Sequence, residues 1–582
     1  MQLHRIEVPL ALAASMLTTL LCTAVTASAG SITVEFNVRI PMRDGTALSA
    51  NIYRPSGPGP FPAVLVRTPY LDLGTGSQED GQFWAEHGYA YVVQDVRGRG
   101  SSDGSFYPLI HEADDGYDTQ TWVGTQPWSN GRVGTLGSSY LGWTQVYTAG
   151  LNNPHLAAMV PTVAPPDPFR NIPYQHGVFS PTLIEWLVLL DGHILQKTPL
   201  GYVRKELESL PLADMDRLYG RRLPAWHEWL AHPTLDDYWT GLSYQENYLK
   251  SRVPGLHVSG WYDDVLIGTL ENYTNLTTRA LDPAARQQQW LIIGPWPHGV
   301  DQGRTIGPID FGPTAVIGLR EIELRWFDHW LKGLDNGVER DPRVRIFVMG
   351  ANEWRTENEW PMARTRYVKF FLHSAGKANT LRGDGVLSPE EPLAGEPADR
   401  FTYDPADPVP FITPPTFAQL GGPDDYRQVE HRQDVLVYTT APFDVPTEMC
   451  GPLRVNLVAA SSARDTDWTA KVVDVHPDGF AQRLNDGIVR ARFRHSDSQP
   501  ELLTPGKPEI YEIDAWATCV QFQRGHRLRL EISSSEYPKF SPNLNTGGDE
   551  GTGTQRVIAE QTVYHDKARE SYLVVPIVPA KQ

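Results

Sequence analysis

Along the chain the spacing of hydrophobic residues changes three times, and each change predicts a different architecture. Near the start Val34, Phe36, Val38 and Ile40 alternate with other residues, Asp44-Gly45 supplies a turn, and residues 47–53 return, which predicts a β-hairpin. Short apolar runs follow at residues 63–66, 89–94, 133–136, 157–162, 256–259 and 290–293. Strands buried on both faces read this way. Helix-compatible segments separate the runs, and that alternation argues for a mostly parallel sheet. After one such strand Leu141, Val146 and Ala149 space as the buried side of a helix, with Thr144 and Gln145 among its polar positions. An amphipathic helix is predicted over residues 321–334, with Ile322, Trp326 and Trp330 on one face and His329 as a packing residue.

Between residues 169 and 252 the strand pattern lapses. Leu183, Trp186, Leu187, Leu190 and Ile194 recur at helical spacing, and Trp226, Trp229 and Leu230 suggest a further helix. An insertion of this kind between sheet strands would cap a site and exclude water from it. After residue 366 Gly, Pro and Asp turns separate short strands near residues 435–438, 453–458, 471–475, 488–493, 510–516 and 527–532, the pattern of an antiparallel sandwich. Residues 388–415, dense in Asp-Pro and Glu-Pro, read as an irregular linker. The expected organisation is an α/β domain in two parts, residues 30–168 and 253–365, around a helical cap at 169–252. A β-sandwich over 366–582 completes it.

The candidate chemistry falls where predicted strands end. Ser139 sits in Leu136-Gly137-Ser138-Ser139-Tyr140-Leu141-Gly142, between a strand and a helix. A nucleophilic serine needs a sharp turn that lifts its hydroxyl clear of the sheet, and small neighbours permit one. The spacing departs from the usual G-x-S-x-G, because residue 141 is Leu and the second glycine is Gly142. Asp263, with Asp264 as an adjacent rival, follows the strand at 256–259, and His298 follows the strand at 290–293. Ligands of open α/β sheets gather at these strand ends. The order Ser, Asp, His is that of the α/β-hydrolases. Gly98, Gly100 and Gly104 have the spacing of a phosphate cradle, but no P-loop lysine follows, so they read as a tight turn over the site.

Gly137-Ser138-Ser139-Tyr140-Leu141-Gly142, Gly260-Trp261-Tyr262-Asp263 and Gly294-Pro295-Trp296-Pro297-His298 resemble the cocaine esterase and X-Pro dipeptidyl-peptidase (CocE/NonD) family of serine hydrolases. So do Arg67-Thr68-Pro69-Tyr70, Asp95-Val96-Arg97-Gly98-Arg99-Gly100, Gln126-Pro127-Trp128-Ser129-Asn130-Gly131 and, far downstream, Asp465-Thr466-Asp467-Trp468-Thr469-Ala470-Lys471. The resemblance implies an α/β-hydrolase with an inserted helical cap and a C-terminal jelly roll. It also implies Ser139 as nucleophile, His298 as base, Asp263 as the residue orienting it, and an oxyanion hole from the Tyr140 backbone N–H and the Tyr70 hydroxyl. The substrate would be a small ester or a short peptide, cleaved without a cofactor. An α-amino-acid ester hydrolase branch carries carboxylates two and three residues after the aspartate; here Val265 and Leu266 stand there. Asp167, Glu185 and Asp264 remain as residues able to hold a substrate amine. Two alternatives stay open: an aminopeptidase releasing X-Pro dipeptides, and a non-catalytic protein that binds a polymer through its jelly roll.

Composition narrows the partners. The 582 residues carry 51 Lys and Arg against 69 Asp and Glu, a net charge of −18, which argues against nucleic acid or an anionic membrane. Residues 1–29 read as a secretory signal: His4 and Arg5 precede a charge-free apolar stretch, and Ala27-Ser28-Ala29 offers a cleavage site before Gly30. Export would remove Cys22 and leave Cys450 and Cys519, either as a disulfide or as two buried thiols. Asp465, Asp467 and Asp474 do not have EF-hand spacing, and no metal is assigned. The sequence is silent on oligomeric state.

Overall fold

A computed structural model describes residues 31–71, 74–196, 211–413 and 421–579; the segment expected to be a signal lies outside them. Its first domain is built on a ten-stranded sheet. The strands in chain order are β1 (Ile32–Pro41), β2 (Ala47–Pro55), β3 (Phe61–Thr68), β4 (Ala90–Asp95), β5 (Ser129–Ser138), β6 (Leu156–Thr162), β7 (Gly255–Gly260), β8 (Gln289–Gly294), β9 (Val344–Val348) and β10 (Glu353–Glu357). Across the sheet they run β1-β2-β4-β3-β5-β6-β7-β8-β9-β10. From β4 to β9 every pairing is parallel, and β1, β2 and β10 add antiparallel edges.

Strand alternation explains why helices cover both faces. In β3, Val64 and Val66 join a core with Trp84, Trp326 and Phe327, contributed by the helices Gly74–Glu86 and Leu319–Lys332. Ala63 and Leu65 face the other way and pack with Val123 of the helix Glu112–Gly124. Both faces are therefore apolar, and the central strands read as continuous runs. The opening hairpin differs from a regular alternation. A bulge between Glu35 and Val38 shifts the register, leaving Phe36 66% exposed while Ile40 is fully buried.

Between β6 and β7 lie the helices Leu183–Leu189, Pro224–Ala231 and Asp237–Leu242 and the 3₁₀ turn Leu212–Tyr219, with a core of their own around Trp226, Trp229 and Trp239. The helix carrying Trp186 ends at Leu189, so Ile194 lies beyond it and is exposed.

The C-terminal domain is an eleven-stranded β assembly whose named strands pair antiparallel, apart from the parallel bridge between Val386 and Thr439. Its longest ladder joins Thr447–Ser461 to Glu509–Phe522, where Cys450 faces Cys519 and the two form a disulfide. The stretch read as a linker is partly structured. Asp399–Tyr403 is a strand paired along its length with Ala559–Tyr564, and the buried Asp399 accepts hydrogen bonds from Tyr438 and the Ala378 N–H. Proline-rich flanks hide a strand whose pairing partner is far away in sequence. Among the described residues no helix is long and apolar enough to cross a membrane.

Candidate active site

Four strand ends on one edge of the sheet build the site. Tyr70 lies just past β3, Ser139 past β5, Asp263 past β7 and His298 past β8, all at the C-terminal edge of the parallel sheet.

Ser139 has φ 64° and ψ −120°, backbone that side chains other than glycine rarely adopt, at a cost of about 1–3 kcal/mol. Its own N–H donates to the Thr162 carbonyl at 3.0 Å, and its carbonyl accepts from the Gly142 N–H at 2.8 Å. The glycines leave no room for more. A Cβ on Gly137 would lie 2.6 Å from the Leu141 Cβ, and one on Gly142 would lie 2.8 Å from the Ala164 Cβ. Thr144 and Gln145, expected as polar positions of the following helix, are buried. Gln145 donates to the Gly137 and Leu141 carbonyls and accepts from the Val160 N–H, so its amide braces the turn from within.

Tyr140 opens the helix Tyr140–Ala149, where a backbone N–H has no partner within the helix and is free for a ligand. Its ring is buried, and its hydroxyl donates to Glu112, which pairs with the buried Arg67 at 2.7 Å. The Tyr70 hydroxyl accepts from Trp186 Nε1 at 2.9 Å and hydrogen-bonds Ser139. Burial pushes its pKa up to about 12, against the lowering by the Trp186 and Ser139 bonds, so it stays a phenol. Arg99 is fully buried within the glycine-rich turn and donates to Pro69 and Leu190 carbonyls, tying the Tyr70 loop to the inserted helices.

His298 donates from Nδ1 to Asp263 Oδ1 at 2.8 Å. The Asp263 carboxylate is enclosed and also accepts from the Ser259 hydroxyl and the Val265 N–H. Asp264 Oδ1 lies 3.2 Å from the same Nδ1. Burial alone would lower the imidazole pKa. The Asp264 charge, the bond to Asp263 and the close approach of Asp264 to Nδ1 outweigh it and raise the value to about 10. Burial pushes Asp263 up in spite of His298, whereas His298 holds Asp264 below the usual carboxylate range against its own burial.

Ser139, Tyr70, Tyr140 and His298 line one cavity of about 530 Å³, walled on the other side by Ile172, Leu183 and Trp186. No Lys or Arg is among its described lining residues, whereas Glu185 and Asp264 are. Burial raises Glu185 to about 7. Asp167, the third carboxylate considered for an amine, is instead taken by Ser243 and the Tyr244 N–H. Asp465 and Asp467 accept from Arg492, Arg490 and Asn543, and Asp474 is paired with His526. Two supporting contacts leave no signal in the sequence: the Trp186 bond to Tyr70, and the Ser259 bond to Asp263.

A mixed sheet in this strand order, with a serine on a strained strand–helix turn and a histidine–aspartate pair at the same edge, defines an α/β-hydrolase, and the class of enzyme is a serine hydrolase. Residues 44–300 match the X-Pro dipeptidyl-peptidase (S15 family) model, and residues 336–574 match the X-Pro dipeptidyl-peptidase C-terminal non-catalytic domain. The cocaine esterase of Rhodococcus sp. (strain MB1 Bresler) is 37% identical, over 94% of this chain and 99% of its own. Among solved structures, an aminopeptidase from the marine sediment archaeon Thaumarchaeota archaeon superposes with TM-score 0.84 at 26% identity, covering 97% of this chain and 99% of the other. An α-amino acid ester hydrolase superposes with TM-score 0.83 at 26% identity, covering 96% and 100%. The chain belongs to the cocaine esterase and X-Pro dipeptidyl-peptidase family of serine hydrolases. Membership in an enzyme family leaves no support for the non-catalytic alternative.

Proposed function

We propose that this protein is an exported serine esterase that cleaves carboxylic esters through an acyl-enzyme. The observation that carries this reading is the strained Ser139, set in one cavity with a histidine whose Nδ1–H is held by Asp263. A serine hydroxyl is a weak nucleophile and needs an adjacent base. With Nδ1 protonated and bonded to Asp263, Nε2 of His298 is the atom left to take the Ser139 proton. Ser139 Oγ attacks the ester carbonyl, and His298 returns the proton to the departing alkoxide oxygen. Water then attacks the acyl-enzyme with the same base, releasing the acid and free Ser139. The Tyr140 N–H and Tyr70 O–H would receive the oxyanion, in line with the family resemblance and with the Tyr70 hydroxyl lying in hydrogen-bond contact with Ser139. The cap residues Leu183 and Trp186 favour an apolar acyl group, and the C-terminal β domain is read as the family's jelly roll. Export is supported by the Ala27-Ser28-Ala29 pattern and agrees with the Cys450–Cys519 disulfide.

Glu185 favours a second reading, an X-Pro dipeptidyl-peptidase. This buried carboxylate lines a cavity with no lysine or arginine among its described lining residues and suits a substrate's amine. Both readings are tested by assaying a p-nitrophenyl ester and an X-Pro-p-nitroanilide on the enzyme and its Ser139→Ala variant. Ester cleavage that vanishes with Ser139 supports the esterase. Fast anilide release moves the assignment to the peptidase, and substantial turnover by Ser139→Ala removes the serine from its role.

A further inference from the structure

The aspartate that orients a catalytic histidine ordinarily acts alone. Here two consecutive carboxylates converge on one nitrogen: Asp263 Oδ1 at 2.8 Å and Asp264 Oδ1 at 3.2 Å from His298 Nδ1. They are built differently. Asp263 is enclosed and fixed by Ser259 and Val265 as well as by His298. Asp264 opens onto the cavity, and its Oδ1 makes no hydrogen bond of good geometry. A carboxylate oxygen shielded from water, without such a bond and beside an imidazole N–H, has one favourable move, a small shift onto that N–H.

We propose that Asp264 is a positioning residue, a second carboxylate partner of His298 that shares its Nδ1–H with Asp263 and stands in for Asp263 when that residue is removed. The inference rests on the reading of His298 as the base for Ser139. It concerns a residue beyond the Ser-His-Asp set, and it gives the enzyme an unusual pH dependence. Only the neutral imidazole takes the serine proton, so activity rises as His298 loses its own. Two facing anions hold that proton to higher pH, and removing one releases the base at lower pH.

Other charges face the pair, and they are the same in the parent and in each Asp264 variant. Tyr70 faces the site as a neutral phenol. Glu185 on the cap and Asp80 also line the cavity; Asp80 is paired with Arg320. From the C-terminal domain, Arg483 and Lys539 line a small void together with Asp263 and Asp264, but both are bonded to Asp486.

The test is the pH profile of kcat/KM on an uncharged p-nitrophenyl ester, chosen so that a lost pocket charge does not alter substrate attraction. Asp264→Asn and Asp264→Ser should both move the acid limb down by about one to two pH units, with melting temperatures close to that of the parent. An unmoved limb in a folded variant overturns the proposal. The stand-in role has its own readout. Removing a lone orienting aspartate costs about 10⁴-fold in kcat, so Asp263→Asn should retain about 10- to 100-fold more activity than the double variant Asp263→Asn/Asp264→Asn. Equal activity of the two overturns it. If neither Asp264 variant folds, the parent decides: its rate of labelling by a fluorophosphonate should still climb above pH 8, and a plateau reached by pH 7 refutes the second carboxylate. Ser139→Ala separates the two levels, because activity surviving that change would sink the serine mechanism itself, whereas an unmoved pH limb sinks only Asp264.

Discussion

Replacing Tyr70 by Phe removes one hydroxyl from a ring that otherwise keeps its packing, and the contacts of that hydroxyl set the cost. Tyr70 Oη accepts from Trp186 Nε1 at 2.9 Å and hydrogen-bonds Ser139, which places its hydroxyl beside an oxyanion formed on Ser139. Losing one such donor costs about 100- to 1,000-fold in kcat, or about 3–4 kcal/mol. KM should stay near the parent's value, because the bond strengthens only as negative charge develops. The variant also leaves the Trp186 indole N–H without its acceptor, which costs about 1–3 kcal/mol of stability. Burial pushes the phenol to about 12, so the donor is intact across the working range and the loss in kcat should be constant with pH. Steady-state kinetics from pH 6 to 10, beside a thermal melt, read both quantities. A kcat within about threefold of the parent's together with a lowered melting temperature would refute the oxyanion role and leave Tyr70 as a support for Trp186.

Glu112→Gln should destabilise the protein by about 3–5 kcal/mol, since it strands the buried Arg67 guanidinium and weakens the seat of the Tyr140 ring. Denaturant unfolding checks it, and a change below about 1 kcal/mol would contradict the pairing. Replacing Cys450 and Cys519 together by Ser should cost about 2–4 kcal/mol in the same assay while leaving kcat unchanged, because the bridge ties two strands of the C-terminal domain. A large fall in kcat at an unchanged fold would instead link that ladder to the site.

The parallel core was legible in the sequence because its strands bury both faces. Val64 and Leu65 point opposite ways yet both reach apolar partners, so the run is continuous and its position falls out directly. Ser139, Asp263 and His298 were legible for a related reason: each follows such a run, and Gly137 and Gly142 mark a turn that larger residues would block. What stayed hidden depends on partners distant in sequence. The strand Asp399–Tyr403 is specified by its ladder with Ala559–Tyr564, and the prolines around it signal only irregular chain. Gln145 looks like a surface position by spacing, but its amide saturates backbone groups of the serine turn. Phe36 is exposed because of a bulge, which shifts faces without changing composition. Tyr70 enters only through family resemblance, since a tyrosine beside a proline has no local mark of an oxyanion donor.

The two matched domains are not independent around this site. Trp261 and Tyr262, immediately before Asp263, belong to a hydrophobic core shared with Trp468, Ile513 and Leu530 of the C-terminal strands. Tyr262 accepts a hydrogen bond at 2.9 Å from Gln482 across the interface, and Trp261 donates to the Phe347 carbonyl of β9. A Cβ on Gly421 would lie 2.4 Å from the Tyr262 carbonyl, so the C-terminal chain presses directly against the turn that presents the two aspartates. Those two carboxylates stand 2.8 and 3.2 Å from His298 Nδ1. Packing from the C-terminal domain therefore helps to fix the Trp261–Asp264 turn, and with it the two carboxylates that face His298.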